Sequence, residues 1–526
     1  MTTTFNTRRL PLGIQDFAKL RTEKLVYIDK TGFIPELTAT SSPYFLSRPR
    51  RFGKSLLLST LKYYFEGRKD LFEGLAIADV EKDWTKYPVF HLDFNAASYA
   101  DMDSFNAIVD RNLRYIEEIW GRDEAEKDFS DRFAGVIKRA YKQSEKGVVI
   151  LVDEYDKPLL NTRTKPDLHK EIKDVLKGFY GVLKSTDQYL RFILFTGVSK
   201  FSKVSVFSDL NNLTDISLEN NFSAICGITE KELLTQFEPE IKALGEAQNL
   251  TYDQTVAKLK KMYDGYHFSE ISEDVYNPWS LLNSFYKKRF TYEWFKSGTP
   301  TMLVEMLKDT DYDLPKLEKN VVIPAQEIDD FRMDSPYPIP LLYQTGYLTI
   351  KDFITRVNSY KMGFPNEEVK YGFINELLPI YISKSKGWSS SWIAAMVQDL
   401  YNEDLEDLML QLTSFFADIP YVLENKTEKH FQTIFYLVFT LVGQLVKVEK
   451  YSSAGRADAV MEVEDKVYIF EFKLTDNATA EEALQQIEES GYATPYLASG
   501  KKIIKIGIAF DNKTRTIGEW KSIVNC

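Results

Sequence analysis

Cysteine is nearly absent from this chain. Of 526 residues only Cys226 and Cys526 carry a thiol, so no disulfide framework can organise the fold, and a reducing, cytoplasmic setting is expected. Long apolar runs are also missing: the stretch from Ile434 to Val446 is too short for a bilayer span and reads as a core helix. No apolar leader opens the sequence, and no membrane partner is expected. Positive charge is in deficit. A formal net charge of -11 argues against non-specific nucleic-acid binding over the whole surface, leaving local basic tracks at "RPRRFGK" and at the lysines after Ile503. What is present is apolar side chain: 44% hydrophobic and 14% aromatic residues suffice for several cores, and three or four domains are expected.

The strongest chemical signal lies near the C-terminus. Arg456-Ala457-Asp458 and Glu471-Phe472-Lys473 flank an apolar hairpin that turns at Glu464-Asp465-Lys466, so antiparallel pairing would set Asp458 opposite the stretch from Glu471 to Lys473. The two-residue strand period places Glu471 and Lys473 on one face and Phe470 and Phe472 on the other. Two carboxylates can hold Mg2+ through hard oxygen ligands, and a lysine can orient water or neutralise a phosphate oxygen. The plainer alternative is a solvated hairpin, but "VYIFEFKL" reads as a strand buried on both faces, where charged side chains need a reason. Upstream, "EKHFQTIFYLVFTLVG" reads as a helix with Glu428 in its first turn, a candidate third carboxylate. Downstream, Thr479 caps a helix carrying Glu481, Glu482, Gln485 and Gln486, followed by the strand "IIKIGIAFD".

This helix, hairpin, helix and strand resemble the PD-(D/E)XK nuclease superfamily, and specifically the nuclease-like domain fused to a group of predicted bacterial ATPases. The resemblance implies metal roles for Asp458 and Glu471, with Mg2+ or Mn2+, and a catalytic role for Lys473. It adds Glu428 as a further ligand and Gln485 or Gln486 as support. Ala457 stands where the superfamily name has proline.

The second signal is "YFLSRPRRFGKSLLLSTLKYYF", an apolar strand running through a loop into a helix. Gly53, Lys54 and Ser55 have the form of a phosphate-binding loop: backbone N–H groups cradle phosphate, Lys54 reaches the β/γ-phosphates and Ser55 ligates Mg2+. Arg48 occupies the position usually held by the first glycine, while Pro49, Arg50 and Arg51 restrict and charge the loop. "SRPRRFGKS" resembles the degenerate loop of the bacterial AAA-type ATPase-like family, and Arg51 is carried with it as a nucleotide-binding residue. A basic surface loop before a helix is the alternative.

Its partner is "GVVILVDEYDKPL", an apolar strand ending at Asp153-Glu154. Asp153 is expected to hold Mg2+ and Glu154 to polarise the attacking water, with Asp156 shaping the metal shell or a nucleic-acid-facing turn. "LRFILFTGVSKFS" is a further strand whose end offers Thr196 or Ser199 as a phosphate sensor, or ordinary turn residues. Three such strands favour a parallel sheet covered by helices. Tyr27, Asp29 and Lys30 are candidates beside adenine or ribose, or a clamp on the sheet.

The expected architecture is therefore α/β. A P-loop AAA-type ATPase domain spans 1–235 and a helical lid 236–325, built around "MYDGYHFSEISEDVYNPWSLLNSF", where His267 lacks metal-ligand partners. A winged-helix-like linker spans 326–405, with a turn at Gly346 and a two-stranded wing, and the nuclease-like domain spans 406–526. ATP and Mg2+ are the expected cofactors and DNA the favoured nucleic acid. An RNA-directed nuclease, or a nucleotide-dependent switch or scaffold with an inactive nuclease fold, are the alternatives. Oligomerisation is left open, because no arginine can be assigned to a neighbour's site.

Overall fold

Consecutive apolar residues become strands buried on both faces, the pattern that a parallel sheet covered by helices requires. The computed structural model describes residues 8–95, 98–200, 206–207, 210, 212–295, 307, 312, 314–328, 337–382, 384–418, 428–445, 459–473, 479–511, 514 and 516–525. Contacts divide the chain into two units, Met1–Gly298 with Leu317–Val369, and Thr299–Lys316 with Lys370–Cys526.

In the first unit, β1 (Pro43–Ser47), β2 (Val89–Asp93), β3 (Val148–Asp153), β4 (Leu190–Gly197) and β5 (Thr214–Asp215) form a parallel sheet of order β2-β3-β4-β1-β5. Helices Met102–Trp120, Phe129–Ser144 and Pro166–Ser185 share one core with Phe45, Ile150 and Phe195. On the other face, Phe65 of helix Lys54–Phe65 packs 5.2 Å from Phe192. Because β4 lies between β1 and β3, their C-terminal ends line one edge of the sheet. The expected parallel sheet is thus present, with β2 and β5 added to the three strands anticipated. β2 is only half-buried and β5 is two residues long, so neither carries a long apolar run.

The next segment pairs β6 (Ile228–Thr229) with β7 (Val275–Tyr276). Helices Glu230–Gln236, Glu238–Gln248, Tyr252–Tyr263 and Pro278–Lys287 surround a core of Leu233, Phe237, Ile241, Leu259 and Leu281. Capping boxes at Thr229/Glu232 and Thr251/Gln254 start two of them. β8 (Val321–Pro324), β9 (Thr349–Ile354) and β10 (Ser359–Gly363) form an antiparallel sheet of order β8-β10-β9. Helix Ile339–Gln344 and a turn at Gly346, φ 89°, lead into this hairpin.

The second unit contains helices Lys386–Asn402, Leu405–Ala417 and Glu428–Leu445. Its sheet, of order β11-β12-β13-β14, is built from β11 (Ala459–Val463), β12 (Lys466–Lys473), β13 (Lys502–Asp511) and β14 (Thr516–Asn525). β12 and β13 are parallel, connected through helix Ala480–Glu489, and the other pairs are antiparallel. β14 was not anticipated, since its apolar residues are scattered among polar ones along a half-exposed edge strand. Among the described residues no helix is long and apolar enough to cross a membrane. The apolar face of Glu428–Leu445 is instead spent on the sheet, with Phe435 4.6 Å from Phe472 and Phe439 5.2 Å from Phe470.

One buried acid lies in the helical segment that follows the sheet. Asp264, 3% exposed, keeps one carboxylate oxygen without a hydrogen-bond partner, and burial pushes it up to about 7. Asp274 and Glu230 reinforce that shift, while the Gly265 N–H and Lys260 oppose it, and the nearby Lys351 ammonium is itself pushed down by burial. Between the unfolded carboxylate's pKa of about 4 and the folded value, the native state retains a proton that the unfolded state has lost. Stability therefore falls as pH rises across that window. Asp264→Asn should flatten this dependence and raise stability at pH 8 by up to about 3 kcal/mol. Thermal unfolding of both proteins at pH 5 and pH 8 checks it; an unchanged pH dependence would contradict a buried protonated Asp264.

Candidate nucleotide and nuclease sites

Gly53 caps helix Lys54–Phe65 with φ 94°, a left-handed conformation that glycine adopts without a side-chain penalty. It presents Lys54, whose side chain is 4% exposed. The ammonium donates to the carbonyls of Arg48 and Pro49 at 3.0 and 3.4 Å and lies 3.3 Å from Glu154 Oε1. The next residue, Ser55, brings its hydroxyl near Asp153, where it favours the charged carboxylate. Thr196 at the end of β4 donates to the same carboxylate, with Oγ1 2.9 Å from Oδ1. Burial, then the neighbouring Glu154, raises Asp153, while these hydroxyls and Lys54 favour its charged form. Ser55 and Asp153 thus meet as a hydroxyl and a carboxylate, a hard-oxygen pair suited to Mg2+.

Glu154 itself has φ 54°, uncommon for a residue with a side chain, at the end of β3. Ser199 is directed elsewhere. Its N–H and its hydroxyl both donate to Asp156 Oδ2 at 2.7 Å. Asp156 is wholly buried and raised by burial and by Glu154. Thr196 is therefore the residue on Asp153, and Ser199 fixes Asp156. Arg51, φ 69°, is exposed and stacks its guanidinium 4.3 Å from the Trp279 ring.

The residues considered for adenine or ribose, or for a clamp on the sheet, have partners within the first unit. Asp29 accepts from Thr31 and from the Ala76 N–H, Lys30 pairs with Glu232 at 2.7 Å, and Tyr27 packs on Phe17. His267 pairs with Asp274 at 2.9 Å. Asp93, which sequence reading passed over, ends β2 in register with Asp153. A strand of only partly buried residues gave no signal that its last position lies on this edge.

In the second unit, Phe470 and Phe472 face helix Glu428–Leu445, and the opposite face of β12 meets helix Ala480–Glu489. Glu471 and Lys473 lie on that opposite face, as the strand period requires. Glu471 is 4% exposed, and Lys473 donates to Gln486 Oε1. Gly507, in register with Glu471, lets the helix approach: a Cβ there would stand 2.3 Å from the Ala480 carbonyl oxygen. Thr479 and Glu482 form the anticipated cap, at 2.9 and 3.1 Å. Gln485 bonds Glu489 rather than the lysine. The last described pair between β11 and β12 is Ala459 with Phe470, adjacent in sequence to Asp458 and Glu471. Asp458 and the side chain of Glu428 lie outside the described residues. Among the described residues no group of three or more His, Cys, Asp or Glu could hold a metal.

Of the lysines after Ile503 anticipated as a basic track, Lys505 pairs with Glu488 and Lys521 with Glu481, and Lys513 lies outside the described residues; Lys501 and Lys502, just before Ile503, pair with Glu462 and Glu403. In the other proposed track, Arg48 is buried and Arg50 and Arg51 are exposed.

A loop lysine and an acidic strand end on a parallel sheet, joined in one chain to a sheet with a carboxylate and a lysine on one strand face, define the class: an ATPase-like domain and a nuclease-like one in a single chain. Residues 11–207 match the family described as Predicted AAA-ATPase, and residues 426–520 match the PD-(D/E)XK nuclease superfamily. The "Uncharacterized protein in vnfD 5'region" of Azotobacter chroococcum mcd 1 is 36% identical over 528 residues, covering 97% of this chain and 98% of the relative. The chain belongs to that family of predicted AAA-ATPases with a C-terminal PD-(D/E)XK nuclease superfamily domain.

Lys54→Ala removes the one ammonium that spans the loop carbonyls and Glu154. It should weaken ATP binding by at least about tenfold, the effect of losing a charged contact to phosphate. Titration with a fluorescent ATP analogue checks this, and wild-type affinity in the variant would rule Lys54 out.

Proposed function

We propose that the protein binds and hydrolyses ATP and couples this to Mg2+-dependent cleavage of DNA phosphodiester bonds. The observation that carries the reading is the two-faced strand β12: its phenylalanines seal one face, while Glu471 and Lys473 share the other beside Gln486. A buried carboxylate and a lysine on a rigid apolar strand are suited to phosphate chemistry and costly without it.

At the ATPase site, incoming phosphate competes with Glu154 for Lys54. The exchange frees the Glu154 carboxylate to accept a proton from attacking water, and Ser55, Asp153 and Thr196 keep their mutual order. Mg2+, held by Ser55 and Asp153, would supply charge neutralisation on the phosphates. At the nuclease site Glu471, with Asp458 as the proposed second carboxylate and Glu428 as a third candidate, would hold Mg2+ or Mn2+. Lys473, steadied by Gln486, would direct water or neutralise the phosphate. The pairing of Lys501, Lys502 and Lys505 with glutamates favours a second reading, in which the nuclease fold binds a partner and the chain is a nucleotide-dependent switch.

Purified protein incubated with circular and linear DNA, with and without Mg2+ or Mn2+ and ATP, should cleave, whereas Glu471→Ala and Asp458→Ala should lose at least about a hundredfold in rate. Metal-dependent cleavage retained by both variants would sink the proposed site. No cleavage of DNA under any condition would move the reading to the switch or to RNA. In the same preparation Glu154→Gln should bind ATP but hydrolyse it at least about a hundredfold more slowly; wild-type turnover would remove Glu154 from the reaction.

A further inference from the structure

Phosphate loops ordinarily place glycine at the residue after the strand, where the chain must turn tightly. Here that residue is Arg48, and it is 1% exposed. Its guanidinium points into the protein: Nη1 donates to the carbonyls of Ser47 and Ser217 at 2.9 and 2.8 Å, and Nη2 to Phe222 at 3.0 Å. The cation lies 4.2 Å from the Phe268 ring, a cation–π contact in a desolvated setting. The backbone of Arg48 is tied down as well, with its N–H donating to Gly197 and its carbonyl accepting from Lys54 Nζ at 3.0 Å.

Every following residue of the loop is held from outside. A Cβ on Gly346 would stand 2.6 Å from Pro49 Cβ; Trp294 Nε1 donates to the Arg50 carbonyl at 3.4 Å; Arg51 stacks on Trp279; Phe52 packs 4.7 Å from Tyr266. Gly53 is the exception, where an added Cβ would meet nothing within 4 Å.

We propose that Arg48 is a positioning residue for nucleotide binding, its buried guanidinium setting the path of residues 49–53 and the placement of Lys54 in the role that glycine fills in other phosphate loops. This rests on the nucleotide reading above. Arg48 does not touch phosphate; it acts through Lys54, whose ammonium is bonded to the Arg48 carbonyl. The arginine is then no defect in the loop, and restoring the usual glycine removes the anchor.

The test uses the full chain and titration with a fluorescent ATP analogue, alongside amide exchange of residues 49–54 without nucleotide. Arg48→Gly should weaken binding by at least about tenfold and speed loop exchange, because preorganisation is lost. Arg48→Lys should recover part of the affinity by restoring some donors, and Phe268→Leu should weaken binding less than Arg48→Gly. Affinity of Arg48→Gly within about twofold of wild type would overturn the proposal. If that variant fails to fold, unchanged affinity in both Arg48→Lys and Phe268→Leu overturns it. If wild type binds no analogue, the nucleotide reading falls, and loop exchange in the variants still decides whether Arg48 fixes the loop: unchanged exchange overturns it.

Discussion

One buried guanidinium fixes the turn between β1 and helix Lys54–Phe65, and the edge where the ends of β1, β3 and β4 meet depends on it. Burying a cation is expensive unless its donors are satisfied. Arg48 meets most of that demand with main-chain carbonyls, an aromatic face and the charge of Asp215, while its Nε is left without a partner and burial lowers its affinity for its proton. Asp215 is shared with Lys200 at 3.1 Å, and the Lys200 N–H is held by Gln344 at 2.8 Å. The turn after β1 and the end of β4 are therefore braced by the same segment, since Gln344 is two residues before the glycine that packs on Pro49.

Along that edge, acids are kept in order by hydroxyls. Asp153 takes Thr196, with the Ser55 hydroxyl near it, and Asp156 takes Ser199, so two carboxylates separated by Glu154 and Tyr155 have distinct donors. Charge in the second unit is managed differently: glutamates neutralise the lysines of β13 and its approach, while Lys473 is held by a neutral amide. An amide partner leaves the lysine's positive charge intact, which an acidic partner would offset.

Much of this was legible. "VVILV" before Asp153 has no polar break, so a strand buried on both faces was the economical reading. Phe470 and Phe472 alternating with Glu471 and Lys473 determine which helix each pair meets. Thr479 with Glu482 three residues on announces a capped helix. What could not be read depends on distant partners. Nothing near Arg48 says that its side chain turns inward, because its acceptors at Ser217 and Phe222 and its ring at Phe268 are remote in sequence. Thr196 and Ser199 look equivalent as polar residues at a strand end, and only the positions of Asp153 and Asp156 separate their roles. The pairing of Lys501, Lys502 and Lys505 with glutamates from other elements likewise has no local signature.

The order of the strands has a consequence for how the chain is made. β1 pairs with β4, so Ser47 waits for Gly197, and Arg48 then waits for Ser217, Phe222 and Phe268, and Pro49 for Gly346. During synthesis from the N-terminus the loop carrying Lys54 emerges early but is completed late, after long-range closures that are slow relative to helix formation. A nascent chain ending at residue 207, where the AAA-ATPase match stops, holds every residue from Lys54 to Ser199 and yet lacks Ser217, Phe222 and Phe268, the distant acceptors and ring that hold the guanidinium.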